Sequence, residues 1–462
     1  MINPEVTQEQ KDQLSDLVYE YRDIFSDVPK ITNLIEHKIV LKTEEQVRCK
    51  PYPIPFKMQE VIDKEVEEMK KMNVIEQSEA GYSSPLVIVK KADGSNRPCV
   101  NFKALNAITV FDPEPMMCAE DIFPKLSGSR FYSKFDFSKG YWQIPMAEDS
   151  KDYVSFPTSQ GLMRFRVMPF GLCNAGSTYN RMMRKLLHGT ENLESYLDDV
   201  LSHTTEWSSH IAILREFFRR VKDANLSLKP SKCQLGYTSV KFLGHVLTGD
   251  SIQPKSDAIQ RIINIERPVN KRQVRRLVAM AGYYRKFLPN FAELMAPLTD
   301  LTKKGVSDRI PWTDRHEQVL TRLRQLFSAS PILKLPDLGG QMYLQTDASD
   351  RRVGAVLLQE FNGEKHPIAY ASRKLLDRET RTFTISEKEC LALVWAIRHF
   401  ARYLTGVHFI VETDHKPLEC LNAGNTTNSR IMRWSLILQS SNFTVRYIKG
   451  SDNVISDYLS RL

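Results

Sequence analysis

The sequence has no long apolar run, no paired cysteine motif and no excess of acidic residues. None of its apolar stretches reaches the roughly 18 residues that a membrane-spanning helix needs, and no signal peptide opens the chain. Its seven cysteines are scattered and include no Cys-x-x-Cys pair, which argues against a disulfide framework or a zinc site. We therefore expect a soluble intracellular protein with reduced thiols.

The charge balance is basic, because 64 Lys and Arg residues outnumber 55 Asp and Glu residues and leave a net charge of +9. Hydrophobic residues make up 42% and charged residues 26% of the 462 positions, which is ordinary for a globular protein. A chain of this length suggests about two to four domains. The basic surplus is compatible with a polyanionic partner but does not require one.

Two helices and a hairpin are predicted before residue 110. Thr7-x-x-Gln10 is a capping box that precedes a packing helix without evident chemistry, and a second helix is predicted around Met58 to Met69. Residues 85–106 form a hairpin pattern whose turn is Asp93-Gly94. Its lysines and arginines fit either a substrate contact or a solvated edge strand.

Acidic residues stand where strands are predicted to end. Asp136 ends an apolar run, while Asp198 and Asp199 lie between Tyr196-Leu197 and Val200-Leu201, a pattern that predicts a tight turn with both acids at its tip. Adjacent carboxylates repel each other, and Mg²⁺ removes this conflict because it prefers carboxylate oxygens. Aspartate is also common in ordinary turns, so the pair alone is weak evidence.

A basic amphipathic helix is predicted over residues 270–288, which hold six basic residues and no acid. Val274 and Leu277 belong to its apolar face, and four basic residues project from the other faces: Lys271, Arg272, Arg275 and Arg276. Such a helix can serve nucleic acid, a membrane surface or a protein partner, and the first suits a polymeric phosphate substrate.

A new organisation begins near residue 341, with elements in the order β-β-β-α-β, which suggests an α/β domain. Its helix is predicted over Glu387 to Tyr403, and a further strand over Phe443 to Ile448 and a closing helix over Asp452 to Leu462 follow. Its elements carry a second set of acids at their ends: Asp347, Glu389, Asp414 and Asp457. Two-metal phosphoryl transfer needs several carboxylates that converge on one point. The two acidic sets therefore predict two such centres, although sequence alone does not show that the acids converge.

The ordered motifs resemble the polymerase core and the attached ribonuclease H (RNase H) of a gypsy-like LTR retrotransposon Pol polyprotein. The resemblance runs from about residue 35 to the end and is carried by seven segments: 135–141 (FDFSKGY), 168–175 (MPFGLCNA), 196–199 (YLDD), 346–350 (TDASD), 387–396 (EKECLALVWA), 413–418 (TDHKPL) and 453–461 (NVISDYLSR). It implies an α+β right-hand polymerase with fingers, palm and thumb, followed by an α/β RNase H-like domain. The expected boundaries are 1–36 for an N-terminal extension, 37–250 for fingers and palm, 251–300 for the thumb, 301–340 for a connecting segment and 341–462 for RNase H.

The resemblance also implies roles for single residues. The expected catalytic and metal-binding acids are Asp136, Asp198 and Asp199 in the polymerase and Asp347, Glu389, Asp414 and Asp457 in the nuclease. Glu389 is preferred over Glu387 because it directly precedes the Cys-Leu-Ala-Leu core run. The expected nucleotide contacts are Lys91, Arg97, Tyr141 and Phe170. The expected nucleic-acid contacts are Phe242 and Gly244 in a primer grip and Lys271, Arg272, Arg275 and Arg276 in a thumb helix. Phe242 also fits an ordinary buried strand, and Tyr141 fits a core tyrosine.

The expected activity is RNA- and DNA-dependent DNA polymerisation that copies retrotransposon RNA, together with cleavage of the RNA strand of RNA/DNA hybrids. Two Mg²⁺ are expected per active site, with Mn²⁺ able to substitute. The expected partners are an RNA template, a DNA or tRNA primer, the RNA/DNA hybrid and dNTPs, with no membrane and with a homodimer left open. The implied location is the cytoplasm, within virus-like particles.

Some positions depart from the family pattern. Asn101-Phe102-Lys103 replaces the usual Asp-Tyr-Arg, and Gly176-Ser177 replaces Pro-Ala. The loop before the last nuclease acid lacks a histidine, whose role Tyr447 would fill in part. Since all seven acids are present, a working enzyme is favoured over two alternatives, a nucleic-acid-binding protein without catalysis and an enzyme with one inactive site. The chain lacks an aspartic-protease triplet and a zinc-finger set, so we expect a segment of a longer polyprotein.

Overall fold

The computed structural model describes residues 1–90, 96–329, 331–415 and 428–448. The chain divides into two units, the first formed by Met1–Lys125 and Ser129–Val240 and the second by Leu126–Gly128 and the chain from Lys241 onward. The predicted hairpin turn at Asp93-Gly94 and the predicted closing helix from Asp452 lie outside the described residues. The five domain ranges expected from the sequence stay predictions.

The first unit contains six α-helices and nine strands among its described residues. Its helices are α1 Gln8–Glu20, α2 Phe56–Lys71, α3 Lys103–Ile108, α4 Ala119–Ile122, α5 Ala175–Leu186 and α6 Trp207–Asp223. Its strands are β1 Ile75–Gln77, β2 Leu86–Lys90, β3 Asn96–Val100, β4 Phe131–Asp136, β5 Ser155–Thr158, β6 Gly161–Phe165, β7 Leu193–Tyr196, β8 Asp199–Thr204 and β9 Gln234–Tyr237. The predicted Thr7–Gln10 capping box is confirmed at the start of α1.

An antiparallel sheet in the order β7-β8-β4-β9 is the centre of the first unit. One face of this sheet packs on α6, where the ring of Phe135 lies 4.7 Å from that of Phe217 and 5.6 Å from that of Phe218. All three rings are fully buried, and truncating such a residue typically costs about 3–5 kcal/mol. This packing holds β4, and with it the strand end at Asp136, in a fixed position.

The second unit contains nine strands and nine α-helices among its described residues. Its strands are β10 Val240–Phe242, which starts at the unit boundary, β11 His245–Leu247, β12 Ser251–Pro254, β13 Leu333–Lys334, β14 Met342–Ala348, β15 Arg352–Phe361, β16 Glu364–Lys374, β17 Phe409–Thr413 and β18 Phe443–Tyr447. Its helices are α7 Ser256–Ile263, α8 Lys271–Tyr283, α9 Phe291–Leu294, α10 Ala296–Asp300, α11 Asp314–Ser328, α12 Asp377–Thr382, α13 Ile385–His399, α14 Ala401–Leu404 and α15 Ser429–Leu438.

A mixed sheet in the order β16-β15-β14-β17-β18 organises the C-terminal half of this unit. Strands β14 to β16 form an antiparallel meander, whereas β17 pairs in parallel with both β14 and β18. Cys390 and Leu393 of α13 pack on Leu344 and Val411 of the sheet. The predicted β-β-β-α-β order is present, and α15 is an additional helix between the last two strands.

Three boundaries differ from the sequence predictions. The basic helix α8 ends at Tyr283 instead of Leu288, and a 3₁₀ helix follows at Arg285–Phe287. The long helix predicted to reach Tyr403 ends at His399, since Phe400 caps α13 before the short α14. Asp347 does not follow its strand but lies within β14, where it pairs with Gly354. No helix in the described part of the chain is both long and apolar enough to cross a membrane.

Three buried histidines of the first unit are expected to make it sensitive to acid. Burial lowers the pKa of His37, His203 and His210 to about 4 in each case. Their rings are hydrogen-bonded with hydroxyl groups, as between His210 Nε2 and Ser133 Oγ at 2.8 Å. Because the unfolded chain binds protons more readily, stability is lost as pH falls from 6.5 towards 4, by about 1.4 kcal/mol per pH unit for each histidine.

We predict that the urea midpoint of the first unit falls between pH 6.5 and pH 4, and that His210→Gln makes this fall shallower. The matched control is His188→Gln, which replaces an exposed histidine and should leave the slope as it is. An equal slope in the wild-type protein and in His210→Gln would contradict the linkage.

Candidate active sites

The structure brings Asp136, Asp198 and Asp199 together at one end of the β7-β8-β4-β9 sheet. Asp136 is the last residue of β4 and Asp199 is the first residue of β8, and their Cα atoms are direct partners in the antiparallel ladder. Directly opposed residues in such a ladder have Cβ atoms about 4.5–5.5 Å apart. Two carboxylates therefore face one another across the strand pair.

The prediction that both adjacent acids occupy the turn tip is wrong for Asp199. The loop between β7 and β8 has only two residues, Leu197 and Asp198, because Tyr196 already pairs with Asp199. Leu197 has a φ of 53°, a left-handed conformation that costs a non-glycine residue about 1–2 kcal/mol. Two-residue hairpin loops need a positive φ at their first residue, which is Leu197 here. The strained turn therefore brings Asp198 close to Asp136 and Asp199.

Two lysines balance part of this negative charge. Lys232 Nζ lies 2.8 Å from Asp136 Oδ2, and Lys134 Nζ lies 3.0 Å from Asp199 Oδ1. The hydrogen bond to Asp136 raises the pKa of Lys232. Burial raises the pKa of Asp198, and the charges of Asp199 and Asp136 raise it further. The centre thus holds more carboxylate charge than its lysines fully offset.

These lysines were missed by the sequence analysis. Lys134 lies two residues before Asp136 on β4, so strand alternation puts both on one face, and that signal was readable. Lys232 comes from the 3₁₀ turn Pro230–Lys232 that precedes β9. Its contact depends on β9 pairing with β4, which is a long-range feature.

A cavity of about 520 Å³ opens beside the carboxylates, and its lining includes Asp136, Asp198, Tyr141 and Phe170. The rings of Tyr141 and Phe170 are stacked, with centroids 5.1 Å apart and planes at 26°. Phe170 is 41% exposed. An acidic edge beside an aromatic wall suits a ligand that has a charged part and a flat part.

The second acidic set converges in the second unit. Strands β14 and β17 pair in parallel with Gln345 opposite Glu412, and the same register carried two residues further puts Asp347 beside Asp414. Glu389 of α13 lies against this edge, because its Oε1 accepts a hydrogen bond from the Ala348 backbone N–H at 3.2 Å. Three acids from two strands and one helix therefore meet at one end of the sheet.

Glu389 and Glu387 lie two residues apart on α13 but have different environments. Burial raises the pKa of Glu389 to about 8, with further contributions from the charges of Asp347 and Asp414. Its Oε2 has no hydrogen-bond partner among the described residues. Glu387 instead completes a capping box with Thr384 and accepts hydrogen bonds from Asn428 and Arg430. Glu389 therefore has the environment of a ligand-binding acid, and Glu387 has that of a structural residue.

The donor sets of both centres fit a hard divalent cation, since they consist of clustered carboxylate oxygens that include a buried oxygen without a hydrogen-bond donor, Glu389 Oε2. Within the described ranges, no group of three His, Cys, Asp or Glu side chains is already arranged as a metal shell. The fourth predicted nuclease acid, Asp457, and the predicted nucleotide contact Lys91 lie outside the described residues. Arg97 is described only as a backbone position of β3, opposite Val89.

Two protein-family models match this chain. Residues 89–247 match the family model described as reverse transcriptase (RNA-dependent DNA polymerase), and residues 337–441 match that of the RNase H-like domain found in reverse transcriptase. The chain carries a reverse transcriptase domain followed by an RNase H-like domain. The resemblance inferred from the sequence motifs is confirmed at this level.

Transposon polyproteins are among the relatives that resemble this chain over nearly its whole length. The chain is 33% identical over 470 residues to the retrovirus-related Pol polyprotein from transposon 297 of Drosophila melanogaster, covering 99% of this chain and 44% of that protein. It is 35% identical over 463 residues to the corresponding polyprotein from transposon 412 of the same species, covering 98% of this chain and 37% of that protein. The Tf2-3 polyprotein of Schizosaccharomyces pombe is 30% identical over 464 residues, with coverages of 97% and 34%. The chain thus spans less than half the length of these relatives.

Solved structures of a foamy viral protease-reverse transcriptase share the fold. The structure in complex with dsDNA has a TM-score of 0.87 at 23% identity, covering 96% of this chain and 94% of that chain. The structure in complex with an RNA/DNA hybrid has a TM-score of 0.80 at 22% identity, covering 96% of this chain and 61% of that chain. The predicted fold class, a polymerase followed by an RNase H-like domain, is confirmed by this likeness.

Phe242 and Gly244, the two residues of the predicted primer grip, differ in their exposure to solvent. The expectation that the Phe242 side chain contacts nucleic acid is at odds with its burial, since it is only 1% exposed. Gly244 is exposed in the turn after β10, where its φ is 73° and where Tyr283 and Tyr284 donate hydrogen bonds to the carbonyl groups of Leu243 and Gly244. The accessible part of this segment is therefore backbone.

The four basic residues of α8 form two pairs. Lys271 donates to the Lys303 carbonyl at 2.9 Å and Arg275 to the Thr302 carbonyl at 3.4 Å. Arg272 and Arg276 are exposed, and we find no hydrogen bond or ion pair of their side chains within the described ranges. The latter pair is therefore better prepared to contact phosphates.

We predict that Glu389→Gln stabilises the second unit in EDTA at pH 8, because ionisation of a group whose folded-state pKa is raised from 4.5 to about 8 costs stability as pH rises through this range. The measurement is the urea midpoint, and the gain should disappear below pH 5. The matched variant Glu387→Gln should lower the midpoint, since it weakens hydrogen bonds to Arg430 and Asn428. Equal effects of the two substitutions would contradict the assignment.

Proposed function

We propose that this chain is an RNA- and DNA-directed DNA polymerase with an RNase H that cleaves the RNA strand of RNA/DNA hybrids, and that it copies retrotransposon RNA. The observation that carries the proposal is the convergence of acids from separate elements in each unit, Asp136 with Asp198 and Asp199 in the first and Asp347 with Glu389 and Asp414 in the second. Such convergence is what two-metal phosphoryl transfer requires.

Enzymes of both families generally depend on divalent metal ions, and we propose two Mg²⁺ per centre, with Mn²⁺ able to substitute. The carboxylates named above would hold these ions in each centre, together with Asp457 in the nuclease. When bound, the metal lowers the pKa of the attacking hydroxyl group or water and neutralises charge that develops on the phosphate. Lys134 and Lys232 pair with Asp199 and Asp136 and hold these two side chains in place before substrate enters.

The cavity beside the polymerase centre would bind the incoming dNTP. Tyr141 would lie under the sugar and exclude a 2′-hydroxyl, which distinguishes RNA from DNA precursors, while Phe170 would pack beside it. Lys91 and Arg97 would contact the triphosphate. Positioning and charge neutralisation supply most of the rate in such phosphoryl transfers, so these contacts matter as much as the acids.

The proposed partners are an RNA template, a DNA or tRNA primer and the RNA/DNA hybrid, with a homodimer as a further possibility. The complexes of the foamy viral enzyme with dsDNA and with an RNA/DNA hybrid support this proposal, as does the basic helix α8. A location in the cytoplasm within virus-like particles is proposed from the family alone.

We predict that Asp199→Asn abolishes primer extension on poly(rA)/oligo(dT) with Mg²⁺, by a factor on the order of 10³ or more, and leaves hybrid cleavage largely intact. Asp347→Asn should do the reverse, because each acid belongs to a different unit. The control Asp16→Asn changes an exposed acid of α1 and should affect neither activity. Absence of both activities in the wild-type protein would favour a binding protein without catalysis, and absence of one would favour an enzyme with one inactive site.

We predict that Arg272→Gln combined with Arg276→Gln weakens binding of an RNA/DNA hybrid and reduces the slope of log affinity against log salt by about 2, since each lost phosphate contact removes roughly 0.9. The comparison variant combines Lys271→Gln with Arg275→Gln and should change the slope less, because these side chains are bonded to backbone carbonyls. Fluorescence anisotropy at several salt concentrations measures both. An unchanged slope in the first variant would show that Arg272 and Arg276 do not contact phosphates.

A further inference from the structure

Tyr179 of α5 is fully buried beneath the nucleotide cavity. Its hydroxyl group has no hydrogen-bond partner among the described residues. Burial raises its pKa well above the ordinary value, with further contributions from the charges of Asp198 and Asp136, so it remains a neutral phenol. A phenylalanine would fill the same ring volume without burying an unsatisfied polar group, so fold stability alone does not account for the hydroxyl.

The hydroxyl group occupies space that only a glycine leaves open. Gly140 precedes Tyr141 in the 3₁₀ helix Gly140–Gln143. A Cβ atom at position 140 would lie 2.8 Å from the Tyr179 hydroxyl oxygen and 3.0 Å from its Cε2. The phenol therefore packs against the backbone that leads directly into Tyr141.

Tyr141 is in contact with two further rings. The exposed ring of Phe170 stacks on it at 5.1 Å, and the buried ring of Tyr179 lies 5.3 Å away with planes at 47°. Tyr141 and Phe170 line the cavity, whereas Tyr179 is not part of the lining. Tyr179 therefore borders the cavity through the Tyr141 ring and through the backbone at Gly140.

We propose that Tyr179 is a positioning residue that holds Tyr141 at a fixed height in the cavity and thereby sets the discrimination between deoxyribonucleotides and ribonucleotides. This inference rests on the proposed polymerase function. The Tyr141 ring can exclude a 2′-hydroxyl group only if the ring does not move aside. Tyr179 packs behind it and prevents this movement, because protein interiors contain few voids. The Tyr179 hydroxyl fills the space beside Gly140 into which the Tyr141 segment would otherwise retreat.

The test compares kcat/KM for dTTP and for UTP on poly(rA)/oligo(dT). Tyr179→Phe is expected to raise the relative use of UTP by roughly tenfold, the lower end of the effect that one methylene group has in a pocket, chiefly through a lower KM for UTP. The control Tyr153→Phe removes the hydroxyl of a tyrosine that packs on Tyr82, away from the cavity, and should leave the ratio unchanged.

A double-mutant cycle separates positioning from a general structural defect. In a Tyr141→Ala background the barrier is already absent, so adding Tyr179→Phe should not change the UTP/dTTP ratio further. Gly140→Ala should reduce dTTP use because its methyl group meets the Tyr179 hydroxyl, and Tyr179→Phe should restore part of the loss.

An unchanged UTP/dTTP ratio in Tyr179→Phe would overturn the inference and would leave the hydroxyl as a site for an internal water. An equal effect of Tyr179→Phe with and without the Tyr141 ring would also overturn it. If dTTP incorporation is normal, neither of these two results argues against the polymerase function. Failure of the wild-type protein to incorporate dTTP would defeat the function and the inference together.

Discussion

Mutual repulsion between closely held carboxylates is the constraint on which both centres depend. In the first unit the repulsion is reduced by two ammonium groups, since Lys232 and Lys134 pair with Asp136 and Asp199. In the second unit protonation of Glu389 reduces the repulsion, because burial and neighbouring charges raise the pKa of this residue to about 8. Both arrangements keep several carboxylate oxygens close together, where they can bind a hard cation. The two centres thus limit the repulsion between their acids in different ways, one with lysines and the other with a proton.

Different strand geometries produce these two arrangements. In the reverse transcriptase domain, antiparallel pairing puts the end of β4 opposite the start of β8, so that Asp136 and Asp199 face each other. In the RNase H-like domain, parallel pairing of β14 with β17 puts the carboxyl ends of both strands at one edge, and α13 supplies Glu389 from the side. Both cases place polar groups at strand ends above a fully packed core, where substrate has access and the backbone is rigid.

Features of the fold and of the candidate sites were predictable from the sequence where they depend on a short stretch of chain. The Asp136 strand end and the amphipathic face of α8 follow from patterns within a few residues. The choice of Glu389 over Glu387 stays a prediction, which the raised pKa of Glu389 supports. The direct pairing of Asp136 with Asp199, the contact of Lys232 and the burial of Phe242 depend on strand register and on packing between distant segments, which local patterns do not encode. The helix α15 was missed although Asn428 caps its start. The packing of Tyr179 against Gly140 is likewise visible only in three dimensions.

Each unit should bind divalent cations at its own carboxylate centre, without help from the other. Titration with Mn²⁺ in the presence of an RNA/DNA hybrid, followed by electron paramagnetic resonance of the free ion, measures this binding. We expect two sets of bound ions, of which Asp136→Asn removes one and Asp414→Asn removes the other. A single set that either substitution abolishes, or binding that neither substitution changes, would show that the two centres do not exist as described.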